Sequence, residues 1–169
     1  ELQRLSAVWE YAKDKKFLKG DKMEECEQNT QAMLHELATV WHKTGQKTEN
    51  VVYYDLAQHL YREYITKFPK SKDVGLMTYY YGDLLFMLAT KSGDAKKWQE
   101  AAEVFTKAVK ADPSGNIKVK TREGTKMMRN EAAFAAVFCW MKSLKLEEEV
   151  SGEDEKKSIR KEEEKRKGK

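Results

Sequence analysis

Two stretches of thirteen residues, AQHLYREYITKFP (57–69) and AAEVFTKAVKADP (101–113), decide the fold that this sequence predicts. Each begins with alanine, carries an aromatic ring four residues later, and ends with one of the chain's two prolines. The matching residues are Ala57, Tyr61, Tyr64 and Pro69 in the first stretch, and Ala101, Phe105, Ala108 and Pro113 in the second. Self-similarity at a fixed spacing is typical of proteins built from stacked structural repeats.

The sequence around these stretches is helical in character. Ala, Leu, Met, Lys and Glu dominate, strand-like alternation is nearly absent, and apolar residues recur every three or four positions. This periodicity predicts helices over residues 2–13, 22–44, 51–68, 73–89, 95–111 and 123–146, with a loop up to about residue 121. Gly45 is expected to end the second helix and Asn50 to cap the third, while proline ends it. We therefore predict an all-α fold.

The paired stretches resemble the second helix of a tetratricopeptide repeat, in which a small residue, an aromatic and a terminating proline recur. Each repeat of that family also has a first helix with an aromatic and a small residue. Upstream of the two stretches, Trp41 and Gly45 and then Tyr81 and Gly82 resemble those positions. The resemblance implies stacked antiparallel helix pairs in an α-solenoid, with the helix that contains Ala132 as a C-terminal capping helix.

The spacing of the two stretches exceeds the usual period of about 34 residues by about ten. We assign about three of the additional residues to the connection after Pro69. The other seven are expected in the turn at residues 90–96, between the two helices of the second repeat.

The resemblance also implies a concave groove lined by the first helices. Carried over to this chain, that geometry turns Tyr79, Asp83 and Phe86 toward the groove, together with His42 from the preceding first helix. Aromatic anchors beside a charge are suited to holding a peptide. The same side chains could instead fill the interface between repeats. Capture of a C-terminal carboxylate is not expected, because the Asn and Lys typical of such clamps are replaced here by Tyr79 and Asp83.

The composition limits the classes of partner that this chain is expected to bind. Thirty-two Lys and Arg stand against 28 Asp and Glu, a net charge of +4 with the signs intermixed, which does not indicate nucleic-acid binding. No stretch approaches the roughly 20 apolar residues of a membrane span. The basic residues around Lys118 and Lys126 could hold phosphate or an acidic peptide, or could simply be solvated loop charge.

No cofactor, metal or catalytic residue is predicted. Cys26 and Cys139 match no metal or redox motif, and each falls on an apolar stripe. His35 and His42 are seven residues apart on one helix, but no third ligand can be named. An enzyme would need a nucleophile, a base and an orienting partner together, and the sequence offers no such set.

Two functions follow. The first is a non-catalytic interaction module that binds a protein or peptide in the groove of residues 1–146, with residues 147–169 as a charged linker or tail. The alternative is a structural spacer or self-association domain without a ligand groove. The chain begins at Glu1 without Met, so we expect a fragment of a longer protein. Its aromatic-rich repeats are similar to cell-envelope proteins associated with myxobacterial gliding motility, which implies an envelope or periplasmic location; a cytoplasmic one also fits.

Overall fold

The computed structural model describes residues 2–121 and 123–145, so the expected tail at 147–169 lies outside the described residues. The chain divides into two compact units, and the boundary falls between Leu84 and Leu85, inside the fourth helix. The described residues form mainly α-helix with one small antiparallel sheet.

The first unit contains helices α1 (Leu2–Asp14), α2 (Asp21–Thr48) and α3 (Val51–Lys67), and the first part of α4 (Val74–Ser92). Helix α2 packs extensively along α3. The core is unusually rich in tyrosine, because the rings of Tyr54, Tyr61 and Tyr64 are all fully or almost fully buried. Burial of these rings on α3 holds the helix pair together.

The second unit contains the rest of α4, helix α5 (Ala95–Ala111), strands β1 (Lys118–Thr121) and β2 (Gly124–Met127), and helix α6 (Met128–Ser143). Helices α5 and α6 share the most extensive helix contact. Phe86, Trp98 and Phe138 form an aromatic cluster within this unit, with ring centroids 5.2 to 6.0 Å apart.

Helices α3 and α5 correspond to each other residue for residue. Each has 17 residues, and their N-caps, Asn50 and Asp94, are 44 positions apart. Both cap side chains accept a hydrogen bond from the backbone N–H two residues later, at 3.0 and 2.9 Å. This confirms the cap predicted at Asn50. Ala57 and Ala101, which the same spacing aligns, are both completely buried.

Two predictions about the turns are wrong. Gly45 does not end α2, which continues to Thr48. It is buried inside the helix beside Tyr54, where a glycine is needed because the neighbouring ring leaves no space for a Cβ. The turn before α5 has only two residues, because α4 extends to Ser92. It therefore does not contain the seven residues beyond the usual repeat period that were expected there. At the 44-residue spacing Gly45 therefore aligns with Ala89, and Gly82 with Ala38.

The described residues are mostly helical, as predicted, and one small β-hairpin was not expected. Strands β1 and β2 pair in the register Lys118 with Met127 and Thr121 with Gly124, where a loop and the start of the last helix were expected. The strands have four residues each, too few for alternation to be detected in the sequence. Val119 is the buried side chain of β1, and Gly124 has a φ of 119°, which favours glycine at the turn.

Helix α6, which was predicted as a C-terminal capping helix, has apolar residues on its outer side. Phe134 and Val137 in α6, and Leu144 directly after it, are each at least 60% exposed. A terminal cap usually carries a polar outer face.

Candidate functional site

The first unit contains an open cleft of about 1390 Å³. Three elements form it: α1, one face of α2, and the connection between α3 and α4. Trp9 and Phe68, with ring centroids 4.8 Å apart, supply its apolar wall and are almost fully buried. The cleft thus has a buried aromatic pair behind an opening that is lined mainly by polar side chains.

A chain of hydrogen bonds fastens the α3–α4 connection to α2 at the cleft. Tyr64 Oη and Ser71 Oγ are 2.8 Å apart, and Ser71 Oγ donates to Gln31 Oε1 at 2.8 Å. Gln31 Nε2 in turn donates to Glu27 Oε1 at 3.1 Å. Burial is the main reason why the pKa of the Tyr64 hydroxyl is raised, so this group stays a neutral donor at physiological pH. The chain therefore fixes this side of the cleft.

Both signs of charge line the cleft. Lys70 and Lys72 are exposed on the α3–α4 connection, where Asp73 also lies, whereas Glu24 and Glu36 are exposed on α2. Charges on flexible exposed side chains add little to stability. Lysines and glutamates on different elements of one cleft instead favour a ligand that carries both signs.

Lys67 lies at the inner end of the lysine side and ties α1 to α3. Its Nζ is 2.9 Å from Glu63 Oε1 and 3.2 Å from Glu10 Oε1. Partial burial acts to lower the pKa of Lys67, but the hydrogen bonds and charges of the two carboxylates outweigh it and raise the pKa. Lys67 is therefore a structural cation, unlike the exposed Lys70 and Lys72.

His42, predicted to line a groove, is only 5% exposed. Its Nδ1 is 3.2 Å from Tyr61 Oη, and its Nε2 lies 3.7 Å from Asp83 Oδ2. Burial, with a smaller effect from Lys43, lowers the pKa of His42 to about 4. The imidazole is thus neutral at physiological pH, and the contact with Asp83 is not an ion pair under those conditions. His42 has Tyr61 and Gln46 within hydrogen-bond distance of its two ring nitrogens, and it offers little surface to a ligand.

The other three predicted groove residues lie on α4 but not in one unit. Tyr79 and Asp83 are partly exposed in the first unit. Phe86 belongs to the second unit, where its ring packs edge-on against Trp98. Phe86 therefore has a packing role, which was the alternative that the sequence left open for these residues.

The sequence did not indicate the residues that line the cleft on the α3–α4 connection. The signal was the run Lys70, Ser71, Lys72 and Asp73 directly after Pro69. Such a polar run normally predicts only a solvated loop. In the structure, Ser71 of this run is held at the cleft by its hydrogen bond to Gln31. Gln31 is 40 residues away in the sequence, so this contact cannot be inferred from local pattern.

Metal and thiol chemistry find no support in the described residues. Within 2–121 and 123–145, no three His, Cys, Asp or Glu side chains are grouped to hold a metal ion. His35 lines the cleft, while His42 is buried away from solvent. Burial raises the pKa of the Cys139 thiol to about 12, so this cysteine is not an activated nucleophile.

Compared with known proteins, the chain matches no family model, no curated protein and no solved structure. No helix in the described part of the chain has both the length and the apolar composition needed to cross a bilayer.

Proposed function

We propose that this chain is a non-catalytic protein–protein interaction module of tetratricopeptide-like architecture, in which the cleft of the first unit binds an extended segment of a partner protein. The observation that carries the proposal is the cleft itself. Its volume of about 1390 Å³ exceeds the roughly 300–1,000 Å³ typical of small-molecule sites. Its lining is also more polar than small-molecule pockets usually are.

The repeat part of the proposal is supported by α3 and α5. Equal lengths, equivalent caps at Asn50 and Asp94, and buried alanines at equivalent positions are what two copies of one helical unit require. Short two-residue turns before both helices favour antiparallel pairing with the preceding helix. Stacked helix pairs provide extended binding surfaces rather than reaction centres.

The charges of the cleft define the partner. An extended peptide with acidic side chains toward Lys70 and Lys72, and basic ones toward Glu24 and Glu36, would satisfy both sides. The ligand class is therefore a mixed-charge peptide segment.

A peptide-display selection on the full chain tests this function. Random peptides are selected for binding, and the affinity of a recovered peptide is measured by fluorescence anisotropy. We expect the double substitution K70E/K72E to weaken binding by about tenfold or more, because it removes two attractive charges and adds two repulsive ones. Ala32→Trp, which fills the exposed α2 side of the cleft, should also weaken it.

The matched control is K96E/K97E, which reverses two exposed lysines on α5 of the second unit. It has the same net charge as K70E/K72E and should leave the affinity unchanged. If selection yields no binding peptide, or if both double variants weaken binding equally, the cleft is not the binding site.

A further inference from the structure

Helix α6 and the residue after it expose a row of large apolar side chains on their outward side. Its exposed apolar side chains, which we call the α6 outer face, are Phe134, Val137, Trp140, Met141 and Leu144. Phe134 is 75% exposed, and Val137 and Leu144 are each 60% exposed. Contiguous exposed apolar surface of this kind marks a site of association in soluble proteins.

The spacing of these residues is that of a helix–helix seam. Phe134, Val137, Met141 and Leu144 follow each other at intervals of three and four, as the core positions of a heptad do. The opposite side of α6 carries Ala132, Ala136 and Cys139, which are buried in the second unit. Because α6 is apolar on both sides, packing against one neighbouring helix buries only one of its two apolar faces.

A second copy of the chain is the occupant that these residues fit. The sequence after the described part, residues 146–169, contains only Leu146, Val150 and Ile159 as large apolar residues, too few to cover five. A two-fold axis instead brings one patch against an identical patch, so each apolar residue meets an apolar residue.

Charges beside the two ends of the face favour the antiparallel orientation. Glu131 lies near the start of α6, where its Oε1 is 3.5 Å from Lys126 Nζ, and Lys145 follows the end of the helix. Placing Phe134 beside the partner's Leu144 brings Glu131 to within about 3 Å, along the axis, of the partner's Lys145. A parallel pair would juxtapose Glu131 with its own copy, and Lys145 likewise. Antiparallel helices also oppose their dipoles favourably.

We propose that two copies of this chain associate through the α6 outer face as an antiparallel helix pair. The inference goes beyond the proposed function because it concerns a different surface in the second unit and a different partner. One helix face is small among specific interfaces, so the expected dissociation constant is micromolar.

Sedimentation velocity of the full chain, from low micromolar to near-millimolar concentration, tests the proposal. We expect a concentration-dependent monomer–dimer equilibrium. Phe134→Glu should weaken it at least about tenfold, because it places two charges in the apolar seam. Phe134 is mostly exposed, so the helical circular dichroism should not change. Val52→Glu, at a valine 60% exposed on α3, is the matched control and should not affect dimerisation.

Charge exchange tests the orientation. Lys145→Glu should weaken the dimer about two- to tenfold, and E131K/K145E should restore it. A chain that stays monomeric at every concentration would overturn the proposal and leave the face to another protein's helix or to residues 146–169. A dimer that tolerates Phe134→Glu, or one that Lys145→Glu does not weaken, would overturn it as well.

Discussion

The ring of Tyr54 lies so close to Gly45 that a Cβ at Gly45 would be 2.8 Å from two of its ring carbons. Tyr54 is itself almost completely buried, so the ring cannot swing into solvent to make space. Helices α2 and α3 pack closely at this point because Gly45 has no side chain. The contact explains why a glycine is present inside a helix, where it is ordinarily unfavourable.

We therefore expect Gly45→Ala to destabilise the protein by about 1–3 kcal/mol, the usual cost of overpacking. On an exposed helix the same change would stabilise by about 1 kcal/mol, so the sign identifies the contact. Urea denaturation measures the effect. Combining Gly45→Ala with Tyr54→Leu should cost less than the sum of the two single changes. Simple additivity would show that the two residues are not coupled.

Stability should depend on pH through His42. Its pKa is about 4 in the folded protein and 6.5 when unfolded, so between these values the unfolded chain binds the additional proton. The contribution of His42 to the free energy of unfolding is therefore constant well above pH 6.5. As the pH decreases from 6.5 to 4, the free energy of unfolding falls by about 3 kcal/mol because of this group. Chemical denaturation at a series of pH values measures this loss.

His42→Gln should remove that loss while keeping a polar neighbour for Tyr61. His59→Gln is the control, since the His59 side chain is half exposed. Because carboxylates titrate in the same range, the comparison is between each variant and the unchanged chain. Parallel curves for the unchanged chain and His42→Gln would contradict the assignment.

We expect the stability of the loop at residues 112–117 to depend on both side-chain oxygens of Asp112. Asp112 is buried, and its two oxygens accept hydrogen bonds from the backbone N–H groups of Asn116 and Ile117 and from the Ser114 hydroxyl. An asparagine offers only one acceptor oxygen, so Asp112→Asn leaves a donor of this half-buried loop, such as the backbone N–H of Ile117, without its partner. The expected loss is about 1–3 kcal/mol.

Asp94→Asn is the matched control for Asp112, because asparagine caps a helix as well as aspartate does. Thermal unfolding of the two variants should therefore differ. Equal melting temperatures would show that the loop at residues 112–117 does not require both oxygens.

The two cysteines should react at different rates. The thiol of Cys139 is fully buried and its pKa is raised to about 12, whereas Cys26 is partly exposed on α2. A disulfide reagent at mildly alkaline pH should modify one thiol rapidly and the second only as the protein unfolds. Cys26→Ser removes the rapid phase if the assignment is correct. Two rapid phases in the unchanged chain would contradict the burial of Cys139.

Local pattern was sufficient for most of the helical structure. The bounds of α5 are as predicted, and those of α1 and α3 differ by one residue, because Asn50, Asp94 and the prolines act on their own neighbours. Gly45 was misinterpreted because its role depends on Tyr54, which belongs to another helix. The β-hairpin was missed because four-residue strands containing three lysines do not alternate clearly.

The candidate site could be predicted less well than the fold. Sequence spacing places Tyr79, Asp83 and Phe86 on one face of α4, and the family resemblance added His42 from α2, but burial depends on which helices approach them. His42 is enclosed by Tyr61, a residue 19 positions away. The cleft is similarly non-local, since Ser71 reaches it through Gln31. Periodicity assigns a face to each residue but not the neighbour that covers it.

The equal lengths and matching buried positions of α3 and α5 limit where this chain tolerates an inserted or deleted residue. One residue inserted in the middle of α3 would rotate everything after it by about 100° around the helix axis, moving Tyr64 off the buried side. An insertion in the connection from Pro69 to Asp73 rotates neither helix, although it displaces the Ser71 contact. We expect an insertion at this connection to cost less folding stability than one inside α3 or α5, although it would alter the cleft.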